Sequence, residues 1–115
     1  MEKYQLYMLT PWVETDGQGP FYCPACGIVE GFLAYSPGVR DQIEIVHVAY
    51  QRPRPLVIDV LGTENQGCPV LVLGKGTDLP EMVKKSFLTG RYFMDNALGI
   101  CDFLGKIFKT VRPHP

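Results

Sequence analysis

Two cysteines separated by two residues, Cys23 and Cys26, stand at the start of a helical pattern and constrain the fold more than any other feature. Apolar residues continue from Cys26 at helical spacing, at Val29, Phe32 and Leu33. Both thiols are therefore predicted to lie in the first turn of one helix. Two thiols so placed can form a disulfide, exchange it with another disulfide, or supply half of a metal site.

Length and composition predict one globular domain spanning residues 1–115. The chain is 46% apolar and 20% charged, which argues against disorder, and it is long enough for a core that needs no disulfide. With a net charge of −1 and scattered Lys and Arg, no nucleic-acid partner is expected. The apolar stretch before Pro11 is too short for a signal peptide or a membrane span, so we expect no membrane association and a cytoplasmic, reducing location.

The hydrophobic pattern alternates strands with helices. Strands are predicted over residues 6–9, 43–50, 68–73 and 91–94, the last as an edge strand. Helices are predicted from the cysteine pair to Ser36, over 56–61 behind Pro55, over 79–88, and after a capping Asp95. The last of them has an apolar face formed by Ala97, Ile100, Cys101, Leu104 and Phe108. The fold class is thus α/β, in three layers, with a mixed four-stranded sheet, flanking helices and one extra helix before the last strand.

This element order, together with Tyr22-Cys23-Pro24-Ala25-Cys26, resembles the thioredoxin-like superfamily and is nearer to its glutaredoxin branch. The resemblance covers nearly the whole chain. A second matching feature is Pro69, at the start of the third strand, where the superfamily places a cis-proline that faces the dithiol. The resemblance implies a thioredoxin-like fold and a thiol–disulfide oxidoreductase activity on protein or glutathione disulfides.

A narrower resemblance rests on four short segments: Phe21-Tyr22-Cys23-Pro24, Glu30-Gly31, Arg52-Pro53-Arg54-Pro55 and Asn65-Gln66. Together they are similar to a small bacterial family of unknown function, whose short members are assigned a thioredoxin-like fold. This second resemblance implies the fold and carries no activity with it.

The helix start assigns different roles to the two thiols. Backbone N–H groups and the helix dipole stabilise a thiolate at Cys23, which we predict to be the attacking nucleophile. Cys26, one turn further and on the apolar face, is predicted to resolve the mixed disulfide. Such a reaction needs no bound organic cofactor, with glutathione a candidate co-substrate. The alternative is an inert, buried pair on a non-catalytic binding module.

Two arginines are candidate substrate-binding residues. Arg52 and Arg54 follow the second strand, and the carboxyl ends of parallel strands form the edge where ligands bind in open α/β sheets. They are expected either to stand near Cys23 and bind a carboxylate, such as those of glutathione, or to be solvated turn residues stiffened by their neighbouring prolines.

The loop of residues 11–20 precedes the cysteine pair and contains Trp12. It is expected either to fold over the thiols, with Trp12 and Tyr22 forming an apolar wall for the substrate, or to pack Trp12 into the core. Tyr22 is therefore a candidate substrate-binding residue.

Cys68 and Pro69 are also candidate substrate-binding residues, because a cis-proline opposite the dithiol would bring the Cys68 sulfur close to Cys23. Three thiolates, from Cys23, Cys26 and Cys68, could instead hold zinc or an iron–sulfur cluster with a fourth ligand from His47, a partner or glutathione. The ordinary interpretation of Cys68 is a small apolar residue that begins a buried strand.

Glu30 lies four residues after Cys26 and therefore on the same helical face. A carboxylate there could accept the proton that Cys26 loses in the resolving step. The alternative is an ordinary exposed helix carboxylate.

Overall fold

The computed structural model describes residues 3–115, so Met1 and Glu2 of the predicted domain lie outside the described residues. A mixed sheet has the strand order β2-β1-β3-β5-β4, in which β1 and β2 are parallel and the other neighbours are antiparallel. The elements in chain order are β1 (Gln5–Leu9), α1 (Pro24–Tyr35), a 3-10 helix (Pro37–Asp41), β2 (Glu44–Val48), α2 (Pro55–Leu61), β3 (Val70–Val72), β4 (Lys84–Lys85), β5 (Tyr92–Met94) and α3 (Ala97–Ile107).

Side-chain alternation along β1 produces the three layers. Leu6 and Met8 point to one face of the sheet, where they pack with the buried faces of α1 and α3. Tyr7 points to the other face, where it packs with Val57 and Leu61 of α2. Because apolar residues on both faces are covered by helices, the sheet is the middle layer, and the α/β class with flanking helices is confirmed.

The sheet has five strands, so the prediction of four strands is wrong, as is the helix over 79–88. Lys84 and Lys85 pair with β5 instead, and the Ser86 N–H donates to the Arg91 carbonyl at 2.8 Å to close the turn. The segment lacks an apolar face that could be buried as a helix, since its large apolar side chains remain exposed: Leu79, Met82, Phe87 and Leu88. As a result β5 lies inside the sheet and is not its edge.

Two of the predicted helix boundaries are confirmed and one shifts. Helix α2 begins at Pro55 and ends before Gly62, whose φ of 84° suits glycine. Helix α3 is capped by Asn96, whose side chain accepts the Gly99 N–H at 2.8 Å, so the cap predicted at Asp95 is wrong by one residue. Within residues 3–115 no helix has the length and apolarity needed to cross a bilayer.

Candidate functional site

The Cys23 side chain caps the N-terminus of α1, as the sequence predicts. Its backbone is extended, with φ −72° and ψ 114°, and its Sγ accepts a hydrogen bond from the Cys26 N–H at 3.2 Å. The Cys23 carbonyl accepts the Gly27 N–H at 2.9 Å, which starts the helical ladder. Pro24 occupies the first turn, where no amide donor is needed. A sulfur in this position receives the unpaired amides and the positive dipole end of the helix.

Cys23 and Cys26 are free thiols that line one cavity of about 330 Å³, which we call the thiol cavity. Its walls are the end of β1 and the first turns of α1, with Tyr22, Glu30, Arg40 and His47. Cys23 is 9% exposed and Cys26 is 4% exposed. Burial and, second to it, the side-chain hydrogen bond with Cys23 raise the pKa of Cys26 to about 12. Cys26 is therefore a neutral thiol in the resting protein.

Cys68 and Pro69 lie next to Cys23. The Cys68–Pro69 peptide bond is cis, and the Cys23 Sγ is 3.8 Å from the Cys68 carbonyl oxygen, to which it donates. Burial raises the pKa of Cys68 to about 11, although the nearby charges of Arg54 and Arg52 act in the opposite direction. Cys68 thus presents its carbonyl to Cys23, and its own sulfur stays protonated.

Within residues 3–115 no group of three or more His, Cys, Asp or Glu side chains is arranged to hold a metal ion. The alternative of a thiolate metal site at Cys23, Cys26 and Cys68 therefore has no ligand cluster in that part of the chain.

The two arginines have different environments. Arg54 is 6% exposed, and its Nε donates to the Tyr50 carbonyl at 3.0 Å while Nη1 donates to the Gln66 carbonyl at 2.8 Å. Its Nη2 also bonds the Tyr50 carbonyl, and its backbone N–H donates to the Gln66 Oε1 at 2.9 Å. Arg54 thus joins the segments on either side of α2 and is not a solvated turn residue. Arg52 is exposed and lines the neighbouring cleft.

The loop that carries Trp12 pairs with the segment just before the cysteine pair, and Trp12 packs against the core cluster that includes Cys23 and Cys26. Trp12 and Phe21 exchange backbone hydrogen bonds of 3.0 and 2.8 Å, and the Trp12 ring stacks on Tyr50 with centroids 4.0 Å apart. Trp12 lines a separate cleft of about 620 Å³ at the ends of β1 and β2, together with Arg52 and Arg54; we call it the aromatic cleft. Tyr22 lines the thiol cavity instead. The two aromatic side chains therefore do not form one wall.

Sequence reasoning missed Arg40 and considered His47 as a possible fourth metal ligand. Arg40 Nη2 lies 2.8 Å from Glu30 Oε2, and His47 Nε2 lies 3.8 Å from Glu30 Oε1. The parallel register places His47 beside Met8, which points toward α1, so His47 points to the same side. That register is the signal that could have found His47. Arg40 lies ten residues beyond Glu30, outside the helix, where no spacing rule applies.

Comparison with known proteins gives a family and no activity. Searches of the curated proteins and of the solved structures found no significant match. The family model described as "Protein of unknown function (DUF3088)" matches residues 3–112, nearly the whole chain. The chain therefore belongs to the DUF3088 family.

Proposed function

We propose that the protein is a thiol–disulfide oxidoreductase with a thioredoxin-like fold, in which Cys23 is the nucleophile and Cys26 the resolving thiol. The observation that carries the proposal is the position of the Cys23 sulfur. It caps the N-terminus of α1, accepts the Cys26 N–H at 3.2 Å and borders a cavity that a substrate sulfur can enter. A helix N-terminus favours the thiolate, which is the reactive form.

The topology supports the thioredoxin-like assignment. Without β4, the sheet has the order β2-β1-β3-β5, with the parallel pair β1 and β2 on one side. Helices α1 and α3 cover one face and α2 covers the other. The cis Cys68–Pro69 bond next to Cys23 is the second feature that the resemblance implies.

The reaction balances with the two thiols alone. The Cys23 thiolate attacks one sulfur of a substrate disulfide, so a Cys23–substrate disulfide forms and one substrate thiolate leaves. Cys26 then loses its proton and attacks the Cys23 sulfur, which releases the second substrate thiolate and forms the Cys23–Cys26 disulfide. A second dithiol, or two glutathione molecules, reduces that disulfide and is itself oxidised. We place the reaction in the reducing cytoplasm, with a protein disulfide or a glutathione mixed disulfide as substrate.

Reduction of the insulin disulfides and of a glutathione mixed disulfide tests the proposal. Cys23→Ser is expected to abolish both activities and leave the circular dichroism spectrum and the unfolding midpoint nearly unchanged. Cys101→Ser, at a buried thiol outside the cavity, is the matched control and is expected to keep both activities. Absence of turnover by the unsubstituted protein in both assays contradicts the proposal.

A non-catalytic binding module is the second candidate function. It is favoured by the 9% exposure of Cys23 and by the aromatic cleft, which at about 620 Å³ is nearly twice the volume of the thiol cavity. Retention of ligand or partner binding by Cys23→Ser, together with unreactive Cys23 in the unsubstituted protein, would favour this candidate.

A further inference from the structure

The thiol cavity contains a cluster of ionisable groups that the steps above do not use. Glu30 comes from α1, Arg40 from the 3-10 helix and His47 from β2, and all three line the cavity together with both thiols. Three separate elements thus place charged or titratable groups against one small space whose remaining walls include apolar residues of β1, Met8 and Leu9.

The two carboxylate oxygens of Glu30 have different surroundings. Oε2 is held by Arg40 Nη2 at 2.8 Å. Oε1 is buried and has no hydrogen-bond partner among the described residues, and its nearest cationic candidate is His47 Nε2 at 3.8 Å. A buried polar atom usually has a partner, and one without a partner calls for an explanation. Oε2 is therefore fixed by an ion pair, while Oε1 can still accept a hydrogen bond or a proton.

The resolving step needs a base. Cys26 is 4% exposed, and burial keeps its thiol protonated at neutral pH, so a proton must leave before its sulfur can attack. A cavity of about 330 Å³ has room for several water molecules, each taking about 30 Å³, and a proton can be transferred through one water. Glu30, at the fourth position after Cys26 on the same helical face, is the carboxylate that shares this space.

We infer that Glu30 accepts the proton that Cys26 loses when it attacks the mixed disulfide at Cys23; this inference rests on the proposed oxidoreductase function. The S–H bond of Cys26 breaks and the proton goes to the Glu30 carboxylate. A new S–S bond forms between Cys26 and Cys23 while the Cys23–substrate bond breaks. The departing thiolate carries the electron pair and takes a proton from solvent or from Glu30, which returns the carboxylate to its starting state. Arg40 pairs with the other carboxylate oxygen and takes no part in the proton transfer.

A single-turnover measurement tests this step directly. An aromatic disulfide reagent first places a nitrothiobenzoate group on Cys23, and the release of the coloured thiolate then reports the attack by Cys26. Glu30→Gln is expected to slow the release about 10- to 100-fold, near the low end of general base catalysis. The deficit is expected to shrink as pH rises from about 7 to about 9.5, because hydroxide replaces the missing base.

Three further variants separate proton transfer from structural effects. Arg40→Gln removes the ion pair but keeps the carboxylate, and it is expected to stay within about threefold of the unsubstituted rate. Glu30→Asp is expected to recover part of the lost rate. The pH series is run in a His47→Gln background, because the His47 ring faces the carboxylate and is ionisable.

The outcomes are distinct. Failure of the unsubstituted protein to form or to release the nitrothiobenzoate adduct overturns the proposed function. Normal release by the unsubstituted protein and an equal rate in Glu30→Gln overturns only the inference about Glu30. Equal losses in Glu30→Gln and Arg40→Gln, with no recovery at high pH, also overturn it, because the ion pair and not the proton transfer would then matter.

Discussion

The thiol cavity and the aromatic cleft lie side by side and share Thr10 and Pro11 in their walls, yet their charged groups are partnered in different ways. In the aromatic cleft, the guanidinium group of Arg54 donates its hydrogen bonds to backbone carbonyls. In the thiol cavity, the Glu30 Oε1 has no hydrogen-bond partner among the described residues, and the Cys23 sulfur makes only weak or local contacts.

This difference in hydrogen bonding implies different roles for the charged groups of the two cavities. A charge whose hydrogen bonds are all directed to the backbone stabilises the loops around it, and removing it affects folding first. A group that faces a cavity with unused bonding capacity is available to a substrate or to a proton. We therefore expect substitutions in the cleft to change stability and substitutions in the cavity to change reactivity.

Selective alkylation is the largest expected effect. Burial raises the pKa values of Cys26, Cys68 and Cys101 to about 12, 11 and 11, so at pH of about 8 roughly one in a thousand or fewer of these thiols is ionised. Iodoacetamide is expected to modify Cys23 at least about a hundred times faster than the other three, as measured by peptide mass spectrometry. Modification of Cys68 or Cys101 at the rate of Cys23 in the folded protein contradicts the comparison.

Removal of the Arg54 side chain is expected to cause the largest change in stability. Arg54→Met leaves the carbonyls of Tyr50 and Gln66 without their donors and should lower the free energy of unfolding by about 2–4 kcal/mol. Arg52→Met, at the exposed neighbour, is the control and should change it by less than about 0.5 kcal/mol. Urea unfolding measures both, and equal effects would show that Arg54 is no more structural than Arg52.

A smaller effect on the free energy of unfolding is expected in alkaline solution. A thiol whose pKa is raised by folding stabilises the native state below the unfolded pKa of about 9, and this contribution is lost as pH rises toward the folded value of about 11 for Cys101. Between about pH 8 and pH 10, the free energy of unfolding of Cys101→Ala should therefore fall by about 1 kcal/mol less than that of the unsubstituted protein. All other ionisable groups are the same in both proteins, so their contributions to the difference cancel. Parallel pH dependences would contradict the prediction.

The smallest effect concerns the contact between Tyr22 and α1. A Cβ at Gly27 would meet the Tyr22 Cε2 at 3.1 Å, whereas a Cβ at Gly31 would meet nothing within 4 Å. Gly31→Ala should raise the free energy of unfolding by about 0.5–1 kcal/mol through helix propensity. Gly27→Ala should raise it by less, since the Tyr22 ring must shift by a few tenths of an ångström. Equal gains in the two variants would mean that Tyr22 is not held against the helix.

Local patterns predicted the fold where they coincide with burial. The helix at the cysteine pair, the helix behind Pro55 and the strand behind Pro69 each combine a proline boundary with apolar residues that are buried. Residues 79–88 also begin near a proline, but four of their five large apolar residues are exposed, and pairing with β5 decides their structure. Long-range pairing of this kind leaves little local signal.

The residues that α1 contributes to the candidate site were predictable from the sequence, and those from the 3-10 helix and β2 were not. Cys23, Cys26 and Glu30 lie within eight residues on one helix, so spacing alone relates them. Arg40 and His47 reach the cavity only because the 3-10 helix packs against both α1 and β2, which depends on the folded chain. The burial of Arg54 was not predictable either, because the carbonyls that hold it come from both sides of α2.

The short β4 has a consequence for self-association. A strand at the border of a sheet exposes unpaired backbone groups that can recruit a strand of another molecule. Here the flank of β5 is occupied by two exposed lysines, Lys84 and Lys85, in a strand too brief to serve as a template. The brevity of β4 and the exposed Lys85, with Lys84 paired to Asp95 at 2.8 Å, are therefore expected to disfavour strand addition at this border.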